Sequence, residues 1–305
     1  MLTDYLKRCT TLENYVNLTY NIYYMDNISN YIHYCNNGRD VMKKLPFKIL
    51  TVILSTIFVL SITHIIYVEY NNQMEKERFE SQQKKLIENI RSESEKVKAQ
   101  GNESKQQEEP KILQKYEELY NENNDLYGWI TIEDTHIDYP VMQTVEDQNF
   151  YLNKNWNKEE SKNGLLFIDD KVTSTSNNII IYGHNMADDS MFGDLPEYKN
   201  QSYYEKHKYI KFDTLYEEAT YEVISVSKTV AYYTLQEANE AEYYFYFHVN
   251  MNSEEEFNKY VSEAKKNAYF ETNVSAEYGD QLLTLSTCDY WCEDARLLVI
   301  AKKIE

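Results

Sequence analysis

Leu282-Leu283-Thr284-Leu285-Ser286-Thr287-Cys288-Asp289-Tyr290-Trp291-Cys292-Glu293-Asp294-Ala295-Arg296-Leu297-Leu298-Val299-Ile300 decides how the rest of the chain is read. Two apolar runs rich in Leu, Val, Ile and Thr flank a short polar segment, the pattern of two strands joined by a turn. Paired as neighbours, they bring Cys288 at the end of one strand to face Arg296 at the start of the next. A guanidinium beside a thiol favours the thiol's charged form. The stretch supplies no base. Ile179-Ile180-Ile181-Tyr182-Gly183-His184-Asn185-Met186, about a hundred residues upstream, supplies one, because His184 leaves the end of another buried strand. Taken alone, Cys288 reads as a small hydrophobe closing a strand and Arg296 as a solubilising edge residue. Taken together with His184 they suit acyl transfer: a thiol nucleophile, a proton carrier and a fixed cation for the developing oxyanion. His136, His207 and His248 sit among polar or aromatic residues and read as surface or packing residues.

Working outward, short strands dominate the C-terminal two thirds. Leu126 to Ile132, Ile137 to Met142, Gly164 to Asp169, Asn177 to Tyr182, Tyr209 to Asp213, Ala219 to Ser227 and Tyr243 to Val249 carry strand-like composition. Ile112, Tyr116, Leu119 and Tyr120 share one helical face ahead of them. Phe257, Tyr260, Val261 and Ala264 do the same in Glu254 to Ala268, with Ser253 as its cap. Asn149 to Leu152 and Ala187 to Tyr198 read as short helices or loops. Many short strands with few helices predict a mostly β, closed barrel instead of a layered α/β sheet.

Thr284-Leu285-Ser286-Thr287-Cys288, with Arg296 eight residues on, resembles the active-site signature of the sortases, the cysteine transpeptidases of Gram-positive surfaces. Tyr182-Gly183-His184-Asn185-Met186 resembles their histidine motif, and Gly128-Trp129-Ile130 followed by Tyr139-Pro140-Val141 resembles their opening strands. The helix before the last two strands looks most like class B. The resemblance spans roughly Ile112 to Ile304. It implies a sortase-type barrel of about eight strands, with catalytic residues Cys288, His184 and Arg296 and no cofactor. Ser286, Thr287, Asp289, Asn185 and Met186 are candidate supporting residues. It further implies a substrate peptide of Asn-Pro-x-Thr kind on secreted proteins, cleaved after threonine, and a cell-wall peptidoglycan amine as acceptor. Residues 229 to 250 and the helix after them are expected to build the peptide-binding wall. A pilin-polymerising enzyme, a cysteine endopeptidase using the same triad and a catalytically silent binding domain are the rival readings. Cys292 reads as a free loop thiol, with a disulfide to Cys288 as the alternative.

Toward the N-terminus, Ile49 to Val68 is about 20 residues without Lys, Arg, Asp or Glu, the length of a membrane span. Lys43, Lys44 and Lys48 precede it, which predicts a cytoplasmic N-terminus and an extracellular catalytic domain. No small-x-small site follows the run, so an uncleaved anchor over 42–70 is expected instead of a signal peptide. Residues 1–41 are polar and tyrosine-rich and read as a cytoplasmic tail or as an extension ahead of a true start at Met42. Residues 71–110 are mixed-charge and read as a polar stalk, with 111–305 as the catalytic domain. A net charge of -19 argues against nucleic acid as a partner. The four cysteines form no C-x-x-C pair, and no Walker, Rossmann or serine-transpeptidase motif is present.

Overall fold

A computed structural model describes residues 47–100, 111–231 and 248–305. The tail 1–41, Met42, the Lys43-Lys44 pair and most of the strand or loop expected at Tyr243 to Val249 lie outside the described residues. The chain divides into two compact units, Met1–Glu77 and Arg78–Glu305. Helix α1, Phe47–Gln100, carries the apolar run. Within it, Thr51–Ser92 holds an 18-residue window of mean hydropathy 2.1, none of it buried, which is long and apolar enough to cross a membrane.

In the second unit, helix α2 (Gln114–Glu122) precedes strands β1 (Leu126–Thr131), β2 (Asp138–Met142), β3 (Leu166–Ile168) and β4 (Asn178–Tyr182). Helix α3 (Gln201–Lys206), β5 (Tyr209–Thr214), β6 (Thr220–Val230), helix α4 (Glu254–Lys266), β7 (Leu282–Cys288) and β8 (Ala295–Lys303) follow. The strands close into a barrel in the order β1-β2-β3-β4-β7-β8-β6-β5. The pairs β2·β3 and β4·β7 are parallel and the others antiparallel. Pro140, which has no N–H to give, lies in β2 outside the two-residue pairing with β3.

The alternation of side chains along β7 and β8 separates an inner from an outer layer. Leu283, Leu285, Leu297, Val299 and Ala301 belong to the main core. Leu282, Leu298 and Ile300 face the other way, into a second cluster with Phe257, Tyr260, Val261 and Ala264 of α4. Both faces of these strands are covered, so their burial is nearly continuous. Helix α4 starts where Ser253 Oγ accepts the Glu256 N–H at 3.2 Å and Glu256 Oε2 accepts the Asn252 N–H at 2.7 Å, a reciprocal cap. Its first turn is acidic and its last basic, each charge matched to the helix dipole.

The segment expected to be a polar stalk is helical as far as Gln100. Phe79 and Leu86 are buried in the main core, with Ile87 and Ile90 packed against it. The Phe79 and Tyr139 rings lie 6.1 Å apart, and Gln83 Nε2 donates to Asp138 O at 3.2 Å. This part of the stalk is therefore built into the folded unit that starts at Arg78.

Candidate active site

Outer-layer positions of β7 are 282, 284, 286 and 288, and those of β8 are 296, 298 and 300. Cys288 and Arg296 are cross-strand partners, so both fall on the outer face beyond the part that α4 covers. On the far side of β8, Thr229 of β6 pairs with Arg296. On the near side of β7, Tyr182 of β4 pairs with Ser286, and His184 lies two residues beyond the end of β4. Cys288, Arg296 and Thr229 thus form one row across β7, β8 and β6, and the His184 segment follows the end of the neighbouring β4. Cys288, His184 and Arg296 are each half-buried at the end of strands that are otherwise buried.

Three bonds tie the histidine segment to the cysteine strand. Gly183 N–H donates to Ser286 O at 3.2 Å, Thr287 Oγ1 donates to Gly183 O at 2.8 Å, and Asn185 Nδ2 donates to Cys288 O at 3.0 Å. The Phe192 N–H closes on His184 O at 2.9 Å. Gly183 is needed here, because a Cβ would run into the side chains of Leu166 and Phe192. Buried Met191 takes φ 53°, a left-handed conformation that costs about 1–3 kcal/mol for such a residue. Its N–H donates to the Tyr139 hydroxyl at 3.2 Å, which helps hold it there. The imidazole has a partner that no motif announces: His184 Nε2 lies 2.8 Å from Leu152 O. A carbonyl can only accept, so Nε2 carries a proton and Nδ1 is the nitrogen left for chemistry.

The donors around the thiol converge on one carbonyl. Arg296 Nη1 and the Asp289 N–H both reach Ala295 O, each at 2.9 Å. The backbone N–H after the cysteine is thus engaged in the β7–β8 turn. Asp289 is itself buried: Oδ1 accepts from Lys199 Nζ at 2.6 Å and from Tyr290 N–H at 2.8 Å, and Oδ2 from the Tyr269 hydroxyl at 3.1 Å. Burial first, and then the Asp289 charge, push the Tyr269 phenol well above its usual value, which keeps it a donor. Of the supporting candidates, Thr287, Asn185 and Asp289 make these contacts, Ser286 is buried at the register point, and Met186 packs against the core. Lys199, Tyr269 and the Leu152 carbonyl were not foreseen.

Cys292 is half-buried, and it forms no disulfide with Cys288. Part of the expected peptide wall lies outside the described residues. His248, Asn250, Met251, Ser253, Glu256 and Lys259 line a cleft of about 540 Å³ at its end. Burial holds the His248 imidazole below its usual value. Among the described residues, His136, Asp189 and Asp194 each place a ligand atom within 4.8 Å of the others. His136 directs its Nδ1 and its backbone N–H to Asp194 at 3.0 and 2.7 Å, so hydrogen bonding accounts for that contact.

The family model "Sortase domain" matches residues 130–304. The chain belongs to the sortase family and is a sortase-type cysteine transpeptidase. The relatives it matches are class B enzymes. Sortase B of Staphylococcus aureus is 32% identical over 204 residues, covering 66% of this chain and 78% of that protein. A structure titled Staphylococcus aureus sortase B–substrate complex superposes with a TM-score of 0.61 at 28% identity, over 77% of this chain and 98% of that one. A sortase B structure complexed with triglycine gives 0.62 at 27% identity, over 77% and 99%.

Proposed function

We propose that Cys288, His184 and Arg296 carry the transpeptidation, and that the substrate is a C-terminal sorting peptide of Asn-Pro-x-Thr kind. The pairing of Cys288 with Arg296 across β7 and β8, with the residues on either side of His184 bonded to the end of β7, is the observation that carries this reading. The Cys288 thiolate attacks the threonine carbonyl carbon, and the charge that moves onto the oxygen is met by the Arg296 guanidinium. The proton lost by the Cys288 thiol is held on Nδ1 of His184, and as the C–N bond breaks it passes to the departing amine and a thioester remains. An incoming amine then attacks the thioester, His184 takes up its proton, and the C–S bond breaks to release the thiolate. For Arg296 to serve, it has to turn from Ala295 O toward the oxyanion. The Asp289 N–H has no such freedom while β7 and β8 stay paired.

The acceptor in this reading is a peptidoglycan amine of the cell wall. The substrate and triglycine complexes of related sortase B structures are what recommend a peptide donor and an amine acceptor. Residues 49–68 anchor the chain in the membrane, and the lysines ahead of them favour a cytoplasmic N-terminus with the catalytic unit outside. Exposure of the apolar side chains from Ile49 to Val68 supports the anchor.

The test is intact mass spectrometry of the full chain in detergent, mixed with a panel of threonine-containing sorting peptides, with triglycine or a diaminopimelate-type amine in parallel. An acyl adduct on Cys288 that an amine resolves into a ligated product supports the reading. An adduct released by water alone makes the protein an endopeptidase. No adduct on reduced protein with any peptide sinks the substrate assignment.

A further inference from the structure

We propose that Lys199 and Tyr269 are positioning residues that act on Cys288 through the carboxylate of Asp289. The inference rests on the reading of Cys288 as the nucleophile.

Asp289 follows the thiol directly, and its side chain is only 6% exposed, while that of Lys199 is 31% exposed. A carboxylate this deep is costly unless paired, and loss of its partner leaves an uncompensated charge. Lys199 and Tyr269 supply the pairing, and Lys199 Nζ also sits 5.6 Å from the Tyr269 ring centroid. Each partner comes from a different part of the fold. Lys199 ends the 3-10 turn Leu195–Lys199 that follows the His184 loop. Tyr269 follows α4, the helix that covers the outer face of β7 and β8. The turn that carries the nucleophile is therefore fastened to the two segments that flank it.

The network also has an electrostatic consequence. A carboxylate one residue from a thiolate opposes the thiolate's charge, and the Lys199 ammonium cancels that opposition. Arg296 is then left to act on the thiolate and the oxyanion. Glu293 and Asp294 of the same turn are exposed, where solvent screens them. Lys228 is turned to the Trp291 ring, 5.2 Å from its centroid.

The test uses the full chain in detergent with Lys199→Met, Lys199→Arg, Tyr269→Phe and the double variant Lys199→Met/Asp289→Asn. Three quantities are measured: the rate of Cys288 alkylation by iodoacetamide, located by peptide mass mapping; kcat and KM for acyl transfer from a sorting peptide; and Tm. Lys199→Met is expected to slow alkylation and lower kcat by about tenfold, with KM within about twofold. Lys199→Arg keeps most of both rates. The double variant, which has neither charge, recovers to within about threefold of wild type. A bridge that served only as a fastening would be as broken in the double variant as in the single one. A double variant as slow as Lys199→Met overturns the proposal. So does an unchanged Lys199→Met. If Lys199→Met does not fold, Tyr269→Phe decides: slowed alkylation supports the network, and an unchanged rate overturns it. A wild-type chain that forms no acyl adduct defeats the reading of the site, while the alkylation series still reports on the network.

Discussion

Cys288 and Arg296 face each other in the last pair before the β7–β8 turn, and Arg296 Nη1 is bonded 2.9 Å away to Ala295 O, the carbonyl that also accepts the Asp289 N–H. The guanidinium is thus bonded to its own strand beside the turn. Arg296→Ala is expected to lower kcat/KM for acylation by about 10²–10³, the usual effect of losing one oxyanion donor. Arg296→Lys is expected to recover less than a tenth of the wild-type value, because an ammonium lacks the planar fork that presents two N–H donors to the oxyanion together. Single-turnover acylation of the two variants checks this. Full activity in Arg296→Lys would show that charge alone is enough.

The Leu152 carbonyl gives His184 a defined tautomer. With Nε2 donating to Leu152 O at 2.8 Å, the neutral imidazole carries its proton on Nε2 and leaves the Nδ1 lone pair free. Long-range proton–nitrogen correlation on histidine-labelled protein, at a pH where the ring is neutral, is expected to show this form. A dominant Nδ1–H tautomer would mean that Leu152 does not orient the ring in solution.

Much of this site was legible because its residues sit on strongly patterned elements. The alternation through Leu282 to Cys288 and Arg296 to Ile300 sets the register that pairs the thiol with the guanidinium, and the Ile179-Ile180-Ile181 run marks the strand that delivers His184. The cap at Ser253 and the face through Phe257, Tyr260, Val261 and Ala264 marked α4, which ends at Lys266, two residues short of the expected Ala268. The Leu152 carbonyl was invisible because a backbone acceptor has no residue-type signature. Lys199 and Tyr269 are single residues, 90 and 20 positions from Asp289, and no local period announces a pair at that separation. Phe79 and Leu86 were visible as apolar residues seven apart. Two such positions are too few to signal a packed face until the partner surface is known.

Buried tyrosines give the fold an alkaline limit. Desolvation pushes the phenols of Tyr139 and Tyr260 up to about 12. Against an unfolded value of 10, the stabilisation is complete below pH 10 and is lost as pH rises through 12. Tyr260 can be isolated, since its hydroxyl bonds Thr284 Oγ1 at 3.0 Å and accepts from Asn178 Nδ2 at 3.2 Å beneath α4. Tyr260→Phe is expected to cost about 1–3 kcal/mol at neutral pH. The gap between wild type and variant is expected to shrink by about 2 kcal/mol between about pH 9 and pH 12. Denaturant titrations at several pH values measure it. A gap that stays constant would show that Tyr260 ionises as readily folded as unfolded.

Helix α1 beyond Arg78 is expected to behave as part of the fold and not as a tether. Leu86 is 6% exposed and packs in the main core, while Lys85 beside it is exposed. Truncating a buried leucine removes its transfer energy and leaves a cavity, so Leu86→Ala is expected to cost about 2–4 kcal/mol. For a unit of this size that lowers Tm by about 5–10 °C. Lys85→Ala, which exposes nothing new, is expected to stay within about 0.5 kcal/mol of wild type. Thermal unfolding of the two variants separates the alternatives directly. If both melt with wild type, the 78–92 turns of α1 do not hold to the barrel in solution and the segment is the spacer that its composition suggests. If only Leu86→Ala melts early, the catalytic unit needs these turns to reach its full stability.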